Sequence, residues 1–313
     1  MATEDPIDLC VIICTYNRAR ELQSCLESLT RQSICTDQFS VLVVDNNSSD
    51  KTAQIAQNFG SHLPHLRYVF ESKQGLSYAR NRGLQEADSN WVAFLDDDAM
   101  ARSDWVERIF NMIGNHPFDA FGGIYLPWYR DGKASWYLDS YATDRTWMPY
   151  DEISELKERC FSGGNAVFRR EAALAAGGFP TELGMQGDQL GYGEENTLQY
   201  ALRRMGYRTG IDPEMNIDHL VPLHKQTLTF FLQRRCTEGK IHLWQGRKDP
   251  NWREIASLFV TFALFDARNL GRGIWRLLTG KYRVQNLYID TVPEWCFQWQ
   301  VLLSLFRPRP KVR

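Results

Sequence analysis

Four short strand-like segments punctuate the first third of the chain: the apolar runs Leu9 to Cys14, Ser40 to Val44 and Trp91 to Leu95, and the short strand pattern Leu66 to Phe70. Three of them stop abruptly in polar clusters, Thr15-Tyr-Asn-Arg18, Asp45-Asn-Asn-Ser-Ser-Asp50 and Asp96-Asp97-Asp98. Apolar runs without polar alternation belong to strands covered on both faces, the condition of a parallel sheet. Helical patterns fill the intervals. Leu22, Cys25, Leu26 and Leu29 follow the i, i+3, i+4, i+7 spacing of one helix face behind Asn17 as N-cap. Further helices are predicted over about 51–59 and 77–87, and a third, capped by Ser103, turns Trp105, Ile109 and Ile113 inward.

Strands separated by about ten to fifteen helical residues require βαβ crossovers. The expected fold class is therefore α/β: an open, mostly parallel twisted sheet with helices on both faces. Ligands of such sheets bind outside the carboxyl ends of the strands, where all three polar clusters fall. The second half predicts a strand near Asn165 to Phe168. A helix follows from about Glu194 to Met205, with Leu198, Ala201, Leu202 and Met205 on one face and Gly206 as its stop. From Thr227 the chain turns helical and aromatic, so the expected domains are 1–225 and 226–313.

Composition narrows the function. With 43% hydrophobic residues, 24% charged residues and a net charge of -2, the 313-residue chain is globular, and no basic excess calls for a nucleic-acid partner. Its seven cysteines are odd in number, scattered and free of any C-x-x-C pair, which reads as reduced, mostly buried thiols. The acidic N-terminus and the short apolar run behind it do not read as a signal peptide, and the stretch Ile255 to Phe265 is stopped by Asp266. A spanning helix needs about 20 apolar residues. The expected location is cytoplasmic, peripheral on the membrane face at most.

Three consecutive carboxylates at a strand end repel one another unless a cation sits among them, and the arrangement suits Mg2+ or Mn2+ carrying a diphosphate. A solvated acidic turn is the bland alternative. Asp45 is either a cap for its own turn or an acceptor for a nucleobase or ribose donor, and Tyr16 is either a packed ring or one stacked on a base. Arg80 and Arg82 read as solvated charges or as one phosphate contact. Glu194 and Glu195 open a helix, whose dipole favours ionised carboxylates, the state a general base requires. His219 and His224 follow a strand, and a neutral imidazole there could complete a metal site.

Together, Val11-Ile-Ile-Cys-Thr-Tyr-Asn-Arg18, Val43-Val-Asp-Asn-Asn-Ser-Ser-Asp50, Ala79-Arg-Asn-Arg-Gly83, Phe94-Leu-Asp-Asp-Asp98, Ser162-Gly-Gly-Asn165 and Gly191-Tyr-Gly-Glu-Glu195 resemble the successive motifs of family 2 glycosyltransferases of the GT-A fold. The resemblance runs over about residues 8 to 225. It implies an inverting, metal-assisted transfer from a nucleotide-diphospho-sugar, most often a UDP-sugar, to a hydroxyl of a glycan or lipid-linked acceptor. It puts Thr15, Tyr16, Asn17 and Asp45 around the nucleobase and ribose, with Arg18 and Asn47 in the same two loops, and Arg80 near the nucleotide. Asp96, Asp97 and Asp98 match the D-x-D motif, with Asp96 touching the nucleotide and Asp98 the Mn2+ or Mg2+. Gly164 and Asn165 resemble the loop beside donor sugar and acceptor, and His219 a downstream histidine that reaches metal or diphosphate. Glu195 matches the acidic general base. The sequence carries Glu-Glu where the motif reads Glu-Asp, so Glu194 competes for that role.

Trp128, Tyr129, Trp136, Tyr137, Tyr141 and Trp147 cluster between residues 125 and 150, read as an acceptor-binding lid or a packed insertion. The aromatic, arginine-rich segment after residue 226 reads as an interfacial region at anionic lipid, a homodimer contact, or plain packing. A nicotinamide oxidoreductase is disfavoured because Thr15-Tyr-Asn-Arg-Ala19 replaces the G-x-G-x-x-G fingerprint. A sugar-phosphate nucleotidyltransferase and a non-catalytic nucleotide-sugar-binding protein remain as alternatives.

Overall fold

The computed structural model describes residues 8–187, 189–241 and 252–304. Two compact units are distinguished. The first comprises residues up to Trp128 together with Asp139–Gln189 and Glu194–Leu220; the second comprises Tyr129–Leu138, Leu190–Gly193 and the chain from Val221. The division thus falls five residues before the expected boundary at 225. It also draws two earlier segments into the second unit, because those segments pack with helices far along the chain.

In the first unit β1 (Leu9–Thr15), β2 (Ser40–Asp45), β3 (Leu66–Phe70) and β4 (Trp91–Leu95) alternate with α1 (Ala19–Leu29), α2 (Thr52–Asn58) and α3 (Leu76–Glu86). A short β5 (Ala99–Ala101), α4 (Trp105–Asn115), β6 (Ala120–Trp128), β7 (Ser154–Glu155), β8 (Asn165–Arg169), α5 (Arg170–Ala175), α6 (Glu194–Arg204) and β9 (Thr209–Leu220) complete it. Among the described residues the strands form one sheet in the order β3-β2-β1-β4-β8-β6-β9-β5, with β7 beside β9. The β3-β2-β1-β4 half is parallel, as the crossovers require. Beyond β4 the sheet is mixed: β8 runs antiparallel to both β4 and β6, β6 and β9 run parallel, and β5 is antiparallel to β9.

Strand β1 shows why both faces are covered. Its alternate residues Leu9, Val11 and Ile13 enter one core with Leu22, Cys25 and Leu26 of α1 and Trp105, Ile109 and Met112 of α4. Cys10 and Ile12 enter the other, with Ala79 and Leu84 of α3 and Leu198 and Leu202 of α6. Each fully buried large apolar side chain contributes roughly 1.5–3 kcal/mol, so the two faces together fix the register of the central strand. Three local expectations are corrected. Asn17 does not cap α1, because its side chain is drawn away to the backbone of Ser49 while Asp50 accepts from the Ala19 N–H. Helix α4 starts behind Asp104 with no side-chain cap from Ser103. Met205 is exposed, beyond the last turn of α6, while Gly206 at φ 90° ends that helix as expected.

The second unit holds α7 (Leu228–Ile241), α8 (Trp252–Leu278) and α9 (Val284–Ser304). Helices α7 and α9 are cross-linked by a disulfide between Cys236 and Cys296, with Cα atoms 5.2 Å apart. This corrects the expectation that every cysteine is a reduced thiol. The two residues are 60 positions apart, and only the packing of the two helices brings them together. Gly239 permits that approach, since a Cβ there would lie 2.5 Å from the Phe297 carbonyl oxygen. Tyr137 is buried against Trp136, Tyr129 and Phe231, so this part of the aromatic insertion is packed within the second unit and is not a free lid. Among the described residues no helix is long and apolar enough to cross a membrane.

The β6–β9 register shifts between Gly122 and Ile124, and a Cβ built on Gly123 would lie 1.8 Å from the Met215 carbonyl oxygen. Backbone cannot yield there as a side chain would. Gly123→Ala is expected to destabilise the fold by about 3 kcal/mol or more. Gly114→Ala, in a helix where nothing lies within 4 Å, should be neutral or stabilise by up to about 1 kcal/mol. Paired urea melts check the contrast.

Candidate active site

The site is built at the carboxyl edge of β1, β2 and β4. The loops after β1 and β2 are laced together: the Asn46 N–H donates to the Thr15 carbonyl at 2.8 Å, the Asn17 N–H to Ser48 Oγ at 2.8 Å, and the Ser49 N–H to Asn17 Oδ1 at 2.7 Å. Asn17 and Asn47 both take positive φ, 51° and 69°, which asparagine tolerates better than most residues. Thr15 is buried and Tyr16 half-buried, whereas Asn17 and Asn47 are exposed. Asp45 accepts from the Ser48 N–H at 2.9 Å and from the Tyr68 hydroxyl at 2.6 Å, so it braces its own turn. Asn46 ties the β2 loop to α3 by accepting from the Gly75 N–H at 2.7 Å.

After β4 the chain turns through Asp96, Asp97 and Asp98. Asp96 Oδ2 accepts from the Tyr125 hydroxyl at 2.8 Å, and Arg80 Nη2 lies 3.5 Å from its Oδ1. Asp97 and Asp98 share Arg18, whose Nη1 lies 2.9 Å from Asp97 Oδ1 and 3.0 Å from Asp98 Oδ2. Burial pushes the Asp97 carboxyl up to about 6, against the pull of Arg18. His219, within β9 rather than after it, stands opposite Ala99 and brings Nε2 to 3.2 Å from Asp98 Oδ1. Its ring lies 4.8 Å from that of Tyr125.

Asp96, Asp98 and His219 each offer a ligand atom, all within 4.8 Å of one another. Two carboxylate oxygens and one imidazole suit Mn2+, and Mg2+ with more water, when substrate phosphates complete the shell. The donor set therefore fits a divalent cation. His224 is not in this cluster; it sits in the second unit on the turn Leu223–Gln226, edge-on to Phe230.

Arg80 is only 4% exposed, which excludes the solvated-charge reading; Arg82 pairs with Glu86 at 2.9 Å on the surface of α3. The Arg80 guanidinium rests over Phe179 and Phe94 and donates to Glu194 Oε1 at 2.7 Å. Glycines make room around it. A Cβ at Gly163 would lie 2.8 Å from Arg80 Nη1, and one at Gly164 would lie 1.9 Å from the Asp96 carboxylate. The Gly164 N–H donates to the Tyr125 hydroxyl at 2.8 Å.

Two of the expected site residues lie in surroundings that the sequence does not reveal. Asn165 is fully buried and its amide is committed inside the protein: Trp105 Nε1 donates to it at 2.8 Å, and it donates to the Met215 carbonyl at 2.8 Å. It joins β8 to α4 and β9. At Glu195 the surroundings oppose the helix dipole. Burial first, and the adjoining Glu194 carboxylate second, push its carboxyl up to about 8, with Arg80 opposing. Glu194 is buried and paired with Arg80, so the two glutamates have different surroundings.

Sequence reasoning passed over Tyr125 and Tyr68, which orient Asp96 and Asp45. Neither lies in a motif; only their place on β6 and β3 reveals them. The available signal was weak: Tyr125 headed the aromatic cluster, and Tyr68 lay in a strand beside that of Asp45.

Comparison with known proteins agrees with the geometry. The chain is 34% identical over 180 residues to glycosyltransferase AglE of Haloferax volcanii, covering 57% of this chain and 58% of that relative. Its fold is similar to that of mannosyltransferase PcManGT from Pyrobaculum calidifontis in complex with GDP-Man and Mn2+, at TM-score 0.63 and 19% identity, over 97% of this chain and 88% of that one. It is also similar to Staphylococcus aureus TarS 1-349 in complex with UDP-GlcNAc, at TM-score 0.54 and 17% identity, over 95% and 79% of the two chains. Glycosyl transferase family 2 matches over residues 10–175, more than half of the chain. The chain spans less than two thirds of the length of the curated relatives it matches first. On sequence and sheet together, this chain belongs to glycosyl transferase family 2 and has the GT-A-like α/β fold of its structural neighbours.

Proposed function

We propose that the chain is an inverting, divalent-metal-assisted glycosyltransferase that moves a sugar from a nucleotide-diphospho-sugar, a UDP-sugar first, to a hydroxyl of a glycan or lipid-linked acceptor. The observation that carries this reading is the convergence, at one sheet edge, of the Asp96–Asp98–His219 cluster and the Glu194–Glu195 pair, joined through Arg80. Asp98, His219 and Asp96 would hold Mn2+ or Mg2+. The cation supplies charge neutralisation of the departing nucleotide diphosphate. Thr15, Tyr16, Asn17, Asp45 and Asn47 line the edge proposed for base and ribose, where Asp45 keeps acceptor capacity beyond its two protein donors.

Arg18 has a double role in this account. Its guanidinium offsets Asp97 and Asp98, and a cation held beside Asp98 would leave it free to meet the diphosphate. Glu195 is the base, taking the proton from the acceptor hydroxyl as the hydroxyl oxygen attacks the anomeric carbon. Glu194 is the anchor: its Arg80 pair fixes the start of α6 against the acidic turn. A base whose carboxyl is pushed up acts only once the pH is high enough to ionise it.

Three outcomes follow from this assignment. Because a raised carboxyl is ionised only above its pKa, kcat/KM measured with a UDP-sugar and an accepting glycan should rise about tenfold per pH unit and level off near or above pH 8. A profile flat from pH 6 to pH 8 would contradict Glu195 as an unassisted base. Glu195→Gln should lower kcat by roughly 10²–10⁴-fold with donor affinity retained. In calorimetric titrations without nucleotide, Asp98→Asn should weaken Mn2+ by roughly tenfold or more, whereas Arg18→Gln, which removes the competing guanidinium, should tighten it. Equal effects of the two substitutions would refute the displacement of Arg18.

A further inference from the structure

Helix α8 packs on α9 through one side. Gly273 lies so near Leu287 that a Cβ there would be 2.6 Å from its Cδ1, and Gln298 Nε2 donates to Asp266 Oδ1 at 2.8 Å. The opposite side is bare. Val260, Leu264, Ile274, Trp275 and Leu278 are 60%, 68%, 43%, 57% and 80% exposed. At 3.6 residues per turn these five fall within an arc of about 100°, with the small residues Ala267 and Gly271 between them. The stripe is about 27 Å long at 1.5 Å per residue. Contiguous apolar exposure of this extent marks an interaction surface.

Charge chooses among occupants. Arg268 and Arg272, one turn apart and exposed, flank the stripe, and Lys281 stands with its Nζ 5.3 Å from the Trp275 ring centroid. Among the described residues no carboxylate lies on the arc; Asp266 is turned inward to Gln298. A second copy seated on this face would set arginine against arginine, since the arc itself carries no carboxylate; Asp290, whose charge acts on Arg272, belongs to α9 and not to the arc. An anionic lipid surface meets every feature: acyl chains for the stripe, headgroups for the cations, and the interface level for an amphipathic tryptophan. The helix lies on such a surface rather than across it, since no described helix can span.

We propose that the outer face of α8 binds the anionic surface of a lipid bilayer, with Leu264, Trp275 and Leu278 entering the acyl boundary and Arg268, Arg272 and Lys281 at the headgroups. This assignment stands on the second unit alone and does not depend on the transfer chemistry. The test is co-sedimentation of the full chain with vesicles of phosphatidylcholine alone and of phosphatidylcholine mixed equally with phosphatidylglycerol. Wild type should pellet with the mixed vesicles and be released by salt. Leu264→Gln with Leu278→Gln, and separately Arg268→Glu with Arg272→Glu, should each lower the partition by roughly tenfold or more. Leu174→Gln, an exposed leucine of the first unit, should leave it unchanged. All of these side chains are exposed, so circular dichroism should report unaltered folding. The proposal is overturned if wild type ignores the anionic vesicles, if both double variants partition as wild type does, or if sedimentation velocity without lipid gives a dimer that the Leu264→Gln, Leu278→Gln variant abolishes.

Discussion

One buried guanidinium holds the acidic edge of the sheet together. Arg80 lies under the loop that precedes β8, between the acidic turn after β4 and the first residue of α6, in contact with Asp96 and Glu194. Burial by itself would drive its charge off, but the two carboxylates outweigh that and hold it charged more firmly than usual. Removing one partner of such a pair typically costs about 3–5 kcal/mol, because it strands a charge away from water. The consequence is geometric. The strand-end aspartates and the helix-start glutamates, about a hundred residues apart in the chain, cannot shift independently while this pair persists. Gly163 and Gly164 serve the same end by leaving room for the guanidinium and for the Asp96 carboxylate.

Around that anchor, electrostatics divides the acidic groups by role. Asp97 is turned to Arg18, whereas Asp98 also meets His219 and joins Asp96 in the cluster suited to a divalent cation. Glu194 is paired, and Glu195, beside it, is left to bear the combined effect of burial and a neighbouring negative charge. Two carboxyls whose surroundings push them apart can take separate tasks, one structural and one in proton transfer. Tyr125 coordinates the arrangement from β6, donating to Asp96, accepting from Gly164 and lying against His219.

What the sequence discloses follows from how local its signals are. Strands β1, β2 and β4 are legible because they are buried on both faces and read as unbroken apolar runs. The aspartates and Thr15 to Arg18 are legible because they sit at the ends of those strands. Strands β6 and β9 carry Gly-Gly, two prolines and scattered acids, and bulge against each other, so no periodicity announces them. Tyr125 depends on that pairing, whereas His219 is legible as a metal candidate and only its place within β9 is not. The upward push on the Glu195 carboxyl is hidden for a related reason: the helix dipole is readable from position, but burial and the direction of Glu194 are not. Asn165 sits inside a recognisable motif yet serves packing, while Cys236 and Cys296 are joined only by the approach of α7 to α9.

The central claim is that Asp96, Asp98 and His219 form one metal centre that receives the donor's diphosphate. Electron–nuclear double resonance of Mn2+ added to the protein with UDP tests it most directly. The account predicts an imidazole-nitrogen coupling and phosphorus couplings on the same ion, with the nitrogen coupling lost in His219→Gln while phosphorus remains. A spectrum of Mn2+ bound to UDP and water alone, unaltered by that substitution, would contradict it.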